Sequence, residues 1–338
     1  MKGGMMARLS PQTLVTLWNV ERLGSFSAAA RESGCSQPAV SQQIGRCEKE
    51  LGIRLVRRTS HGVELTPAGL ILARHGQLIE NRLMQAGKDI EEYRRNGSTH
   101  IRLVAPPSVC SSFVARVLVH VSHSSDIRVS LMQMEPPEAV EALEQGLADC
   151  AITFRYNSLP DDDRLSDLRT ECFGIDPLML LVAKSSSIAK IYERTREPVS
   201  LCDARDESWI AGCETCQANL VSLAKAAGFS PDITHSTDDY WATQNLVEVG
   251  MGVSIVSRLA TTANLRDDLV ACPISDANAF RQVCFVTRNG DDRPAIERVR
   301  GEIGKASRRY LEPVRETVGV GTGTDINTST NTDADMTV

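Results

Sequence analysis

Apolar positions recur along this chain in two different rhythms. From Pro11 to about Arg95 they return every three or four residues, the spacing of helices. Ser10 and Pro11 start a first helix carrying Leu14, Leu17 and Trp18, and Gly24 ends it. Ser25 or Ser27 caps a short second helix with Ala28, Ala29 and Ala30, closed by Gly34. Ser36 caps a third, with Pro38 in its tolerated first turn. Taking Val40 as zero at about 100° per residue, Ile44, Cys47 and Leu51 stay within roughly 40° of it, and Gln42 and Arg46 fall at roughly 200° and 240°. One face is a narrow apolar stripe. The other, flanked by Pro38, Ala39 and Ser41, presents amide, hydroxyl and guanidinium groups. Residues 54–57 and 63–65 are strand candidates joined by Thr59-Ser60-His61-Gly62, a β-wing carrying Arg57, Arg58 and His61.

Thr66-Pro67 opens a long helix that no proline interrupts until about Arg95. Gly69, Leu72, Gly76, Ile79, Leu83, Ala86, Ile90 and Tyr93 follow the alternating spacing of a coiled-coil seam on a helix about 40 Å long. Such a seam points to self-association through Leu72, Ile79, Leu83, Ile90 and Tyr93. Packing of the helix on its own domain is the other reading.

After Asn96-Gly97-Ser98 the rhythm becomes strand–helix alternation, the signature of an α/β sheet. Strand candidates are residues 101–105, 127–132, 150–154, 178–182, 209–211, 233–236, 253–256 and 282–287. Helices fit at 111–121, 137–145, 217–227, 240–249 and 294–309. The end of the chain, rich in Thr, Asn, Asp and Gly, cannot build a core and reads as disordered. The expected division is residues 8–66, 67–95, 98–315 and a tail at 316–338.

The formal net charge of −6 hides a division. Residues 1–97 hold 14 Lys/Arg against 9 Asp/Glu, a balance of +5, and the remainder 23 against 34, a balance of −11. The positive field coincides with the three short helices and the wing, as attraction to phosphate requires. Helix, turn, outward-facing polar helix and wing together read as a winged helix-turn-helix, which lays one helix in the DNA major groove. Gln42 and Arg46 are placed to read base edges. Ser36, Gln37, Ser41 and Arg58 suit phosphate positioning. No apolar run approaches the ~18–20 residues that span a bilayer, and no secretory segment stands at Met1-Lys2-Gly3-Gly4. A cytoplasmic protein with no membrane partner is expected, its ten cysteines reduced.

These residues resemble the LysR-type transcriptional regulators to about Leu311. The resemblance rests on Gly24-Ser25-Phe26 with Ala28-Ala29-Ala30, Ser36-Gln37-Pro38-Ala39-Val40-Ser41 with Ile44, Glu48 and Leu51-Gly52, and Leu65-Thr66-Pro67-Ala68-Gly69. Gly250-Met251-Gly252-Val253-Ser254-Ile255-Val256 adds the glycine-rich turn into a strand of the effector domain. Leu17 and Val56 stand where the family often has Phe. The resemblance implies an N-terminal winged helix-turn-helix, a long dimerising linker helix, and a two-lobed α/β effector domain like the periplasmic binding proteins, with crossover strands near 172–178 and 274–282. It implies inverted-repeat promoter DNA, a small-molecule effector and a dimer or dimer of dimers, and leaves RNA polymerase open as a further partner. Effector contacts map onto Ser108 and Val109, onto Gln133 and Glu135, and onto the loop carrying Cys213, Thr215 and Cys216.

Ser108, at a helix N-terminus, reads as a plain cap or as a partner for an effector carboxylate. Cys213 and Cys216 read as ordinary thiols, as a redox pair with Cys202 as a third member, or as half a tetrahedral metal site. No cofactor or resident metal is expected. Walker, zinc-protease and GxSxG motifs are absent from the sequence, so an enzyme is disfavoured.

Overall fold

The first three helices close over the apolar stripe. In the computed structural model, which describes residues 9–59, 62–96, 99–124, 126–160 and 162–313, α1 (Pro11–Leu23), α2 (Phe26–Glu32) and α3 (Gln37–Leu51) share one core. Leu17, Val20, Ala29, Ala30, Val40 and Ile44 fill it. His61 and the tail at 316–338 lie outside the described residues. An antiparallel hairpin, β1 (Val56–Thr59) and β2 (Gly62–Leu65), follows as the wing.

The long helix α4 (Pro67–Asn96) crosses α1 at backbone contact. A Cβ at Gly76 would stand 2.0 Å from the Leu14 carbonyl oxygen, so only glycine permits this approach. The expected seam therefore divides. Leu72 packs against the helix-turn-helix core beside the buried Ala73, and Ile79 is half-buried. Leu83, Ile90 and Tyr93 stand exposed, Leu83 at 66%.

Two lobes follow. In the first, β3 (Thr99–Ala105) lies between β4 (Ile127–Gln133) and β5 (Cys150–Tyr156), parallel to both. β11 (Phe280–Arg288) pairs antiparallel with β5 and with the first part of β6 (Leu168–Ala183). Side by side, β10 (Leu269–Pro273), β6, β11, β5, β3 and β4 make one continuous sheet path, with β9 (Ser254–Ser257) also on β6. Helices α6 (Ala115–Ser124), α7 (Pro136–Gln145) and α12 (Pro294–Ser307) cover this lobe. Beyond Leu178, β6 enters the second lobe and pairs with β9 (Ser254–Ser257) and β10 (Leu269–Pro273). The parallel pair β7 (Ser208–Ala211) and β8 (Asp232–Ser236) adds to it, with α8 (Ser187–Thr195), α9 (Glu214–Ala226) and α10 (Tyr240–Glu248) around the buried Trp209. α11 (Arg258–Ala263) sits at the junction.

Burial explains which elements the pattern announced. β5 is covered on both faces, and its first five residues, Cys150 to Phe154, are apolar except for Thr153, as suits a central strand. The first half of β6 carries exposed Arg169, Thr170 and Glu171, so the pattern marks only residues 178–182 of a 16-residue strand. α8, whose Ile188 and Ala189 are buried, was not expected. The helix expected at 111–121 begins earlier, as α5 (Pro107–Val109), and continues into α6 through a π-helical turn at Cys110–Val114.

The cysteines are not all reduced. Cys172 on β6 and Cys284 on β11 oppose each other across the two strands and form a disulfide. Neighbouring antiparallel positions project their side chains together, which linear sequence does not reveal.

Gly76→Ala gains about 1 kcal/mol of helix propensity but meets backbone rather than a side chain that could turn aside. The clash should prevail and destabilise the N-terminal domain by about 1–3 kcal/mol. Calorimetry of the full chain checks it, with an unchanged or raised melting temperature of that domain counting against the close approach.

Candidate DNA-binding surface and interlobe cleft

α3 is held so that its outer face stays free of the core. Ser36 Oγ accepts the Ala39 N–H at 3.4 Å and caps the helix. Gln43 reaches Thr13 and Thr16 on α1, each at 3.2 Å, and fixes the helix crossing. The buried Glu48 carboxylate accepts the backbone N–H groups of Leu55 (2.7 Å) and Val56 (3.1 Å) and the Arg54 guanidinium (2.9 Å), locking the base of the wing to α3. Burial alone would raise this carboxyl, but these hydrogen bonds outweigh it and keep Glu48 below its ordinary range.

Gln37, Pro38, Ala39, Gln42 and Arg46 are exposed, and Ser41 is half-buried. Arg46 meets Glu50 at 2.9 Å one turn on, and Arg57 meets Glu64 at 2.7 Å across the wing. Both pairs are exposed and are worth little in water, so phosphate can compete for either guanidinium. Arg58 lies on β1.

At the lobe junction the structure brings together residues that are far apart in sequence. Arg281 on β11 is 1% exposed. Its Nε donates to Asp176 Oδ2 on β6 at 2.9 Å. Its Nη2 donates to Ser108 Oγ (2.5 Å) in the first lobe and Ser257 Oγ (2.8 Å) in the second. Its guanidinium carbon lies 4.1 Å from the Phe154 ring centroid. The other Asp176 oxygen accepts the Leu259 N–H at 3.1 Å. Burial opposes the Arg281 charge, but Asp176 overcomes it and holds the proton more firmly than usual.

Two recesses open above this pair. The smaller, about 30 Å³, is lined in part by Glu135, Tyr156, Cys213, Cys216, Asp238 and Tyr240. The larger, about 500 Å³, shares Asp238 and Tyr240 and adds Gln133, Ser111, Asp239 and Trp241. Burial raises the Glu135 carboxyl; Arg281 opposes this, while Asp238 and Glu138 add to it. Burial likewise pushes the Tyr240 hydroxyl up to about 12.

Expected effector residues Gln133, Glu135, Cys213 and Cys216 therefore converge on this cleft. Val109 does not: it is fully buried in the first-lobe core. Ser108 is also fully buried, inside α5 rather than capping it, and its hydroxyl receives Arg281. It is not offered to an effector carboxylate. Cys213 is the N-cap of α9, so Thr215 and Cys216 occupy its first turn rather than a loop. Thr215 is half-buried and is not among the residues lining either recess.

Cys213 Sγ lies 2.9 Å from Cys216 Sγ and 3.9 Å from Glu135 Oε2, and the Tyr156 hydroxyl donates to Cys216 at 3.3 Å. Cys213 donates its S–H towards Cys216, and this hydrogen bond lowers Cys216 and raises Cys213. Cys202 is not a third member. Its thiol donates to the Ala227 carbonyl, at the opposite end of α9. Among the described residues no three His, Cys, Asp or Glu side chains assemble as a metal site, and no helix is long and apolar enough to cross a membrane.

The sequence reading missed Tyr156, Asp176, Asp238, Tyr240, Trp241, Ser257 and Arg281. A lone arginine in the apolar strand Phe280-Arg281-Gln282-Val283-Cys284-Phe285 was the available signal, since a charge buried there demands a partner.

With this geometry in view, the chain matches two family models: "Bacterial regulatory helix-turn-helix protein, lysR family" over residues 11–70, and "LysR substrate binding domain" over residues 94–308. The chain belongs to the LysR family of DNA-binding transcriptional regulators, with an effector-binding domain behind the helix-turn-helix. It is similar to the HTH-type transcriptional regulator AlsR of Bacillus subtilis, 27% identical over 239 residues, which is 68% of this chain and 74% of that protein. Among solved structures, full-length CbnR complexed with its target DNA has a TM-score of 0.56 at 20% identity, covering 88% of this chain and 100% of that one. The BenM effector binding domain with its effector benzoate has a TM-score of 0.55 at 18% identity, covering 63% and 95%. At these identities the likeness to solved structures concerns the fold.

Arg281→Met strands the Asp176 carboxylate in the interior and should cost the effector domain about 3–5 kcal/mol. Adding Asp176→Asn should restore part of that loss. Chemical denaturation of the single and double variants checks this, and additive losses would mean that the two groups are not coupled.

Proposed function

We propose that this regulator binds an inverted-repeat promoter site in the cytoplasm through α3 and the wing, as a dimer or dimer of dimers. A small molecule in the interlobe cleft shifts the populations of its conformations and so its hold on DNA. The observation that carries the DNA reading is the division of α3. Val40, Ile44 and Cys47 are buried, while Gln42 and Arg46 project from the opposite side of the same helix. The cleft between two lobes joined by crossing strands supports the effector reading, as does the benzoate-bound BenM domain of similar fold. The relatives are transcriptional regulators, which supports a protein without catalytic turnover.

Gln42→Ala and Arg46→Ala should each weaken specific operator binding by about 1–3 kcal/mol and leave the fold intact. Binding titrations on operator and scrambled DNA decide it, and unchanged operator affinity in both variants means the groove-facing side lies elsewhere. On α4, Leu83→Asp places a charge in the exposed apolar stretch that also carries Ile90 and Tyr93. Sedimentation should show dimers weakened by several kcal/mol, on the order of the cost of burying an unpaired polar group. A variant that stays dimeric at low micromolar concentration rules out this seam as the main interface.

A further inference from the structure

The charges around the cleft point away from the organic-acid effector expected from the sequence. Among the described residues lining the two recesses there is no Lys, Arg or His. Glu135, Asp238 and Asp239 are there instead. Arg281 lies beneath the recess, but it is ion-paired with Asp176, and its Nε and Nη2 are turned to Asp176, Ser108 and Ser257. An incoming carboxylate would meet acidic walls and no cation among the lining residues.

The three acids differ in what they do. Asp239 accepts the Trp241 N–H at 2.7 Å and the Ala242 N–H at 3.4 Å, so it caps α10 and answers that helix N-terminus. Glu135 precedes α7 without capping it through its side chain, and lies 3.9 Å from the Cys213 sulfur, whose S–H is directed at the nearer Cys216. Asp238 lines both recesses. The smaller recess, about 30 Å³, admits a group the size of a water molecule and so an ammonium group. The larger carries Tyr240 and Trp241, the latter 53% exposed. Aromatic faces beside carboxylates suit an organic cation. The raised Glu135 carboxyl fits an acid whose cationic partner has yet to arrive.

We propose that the effector is a small organic cation, a primary amine on an apolar body, with its ammonium in the recess lined by Glu135 and Asp238 and its body along Tyr240 and Trp241. The assignment rests on the cleft being the effector site.

The test uses the full chain and three probes that share a phenethyl body: phenethylamine, hydrocinnamate and hydrocinnamamide. Calorimetric titration at matched ionic strength should show phenethylamine binding and hydrocinnamate not. Glu135→Gln and Asp238→Asn should each weaken phenethylamine by about tenfold, as loss of a hydrogen bond to a charged group does. Ser111→Trp, which fills the larger recess, should abolish binding. Preference for hydrocinnamate that Ser111→Trp removes overturns the cation and keeps the cleft as effector site. Preference for the neutral amide does the same. Phenethylamine binding that none of the three variants alters lies outside the cleft and overturns the assignment, as does no binding of the amine at all. The DNA reading is tested apart from this, through Gln42 and Arg46.

Discussion

A guanidinium with almost no access to water stands where the two lobes meet, and the effector domain is arranged around keeping it paired. Arg281 and Asp176 lie on β11 and β6, the strands that hold the first lobe to the second. Isolated, either charge would cost several kcal/mol to bury. Together they recruit Ser108 from the first lobe and Ser257 and the Leu259 N–H from the second. Movement of one lobe against the other must therefore stretch a charge-assisted hydrogen bond in a dry interior. The two lobes are thereby held to each other beneath the cleft.

The same pair decides what the cleft can recognise. The cation on its floor is spent on Asp176, so the walls set the sign. Those walls are acidic and aromatic, and the thiols of Cys213 and Cys216 add a polarisable surface. Position in a familiar fold thus leaves ligand class open, because one internal ion pair can withdraw the charge that a ligand would otherwise meet.

Between cleft and DNA-binding surface runs α4. Near its start it is clamped to α1 through Gly76. Farther along, Arg82 lies against Gly146 at the end of α7, where burial and the nearby Arg288 and Arg102 lower its proton affinity. Those arginines gather on Asp149, which accepts Arg102 at 2.8 Å and Arg293 at 2.7 Å and is held well below the usual carboxylate range. One helix therefore touches the helix-turn-helix through Gly76 and the first lobe through Arg82, and the exposed Leu83, Ile90 and Tyr93 follow both contacts along it.

The local parts of this protein were legible in its sequence. Caps at Ser10, Ser25 and Ser36, the stripe through Val40, Ile44 and Cys47, and the change of rhythm after Asn96 depend on neighbours within a few turns, so helical and strand periods expose them. They were enough for the domain order, the outward face of α3 and the α/β character of the C-terminal part; its two lobes came from the resemblance to the LysR-type regulators. Tertiary structure alone decided the rest, because each remaining feature joins residues that only folding makes adjacent. Cys172 meets Cys284 across 112 residues, and Arg281 meets Ser108 across 173. Leu72 turns inward where Leu83 turns out because α1 covers only the first part of α4. Ser108 reads in sequence as a free cap; in the folded chain its hydroxyl is taken, because a buried arginine must find every acceptor within reach.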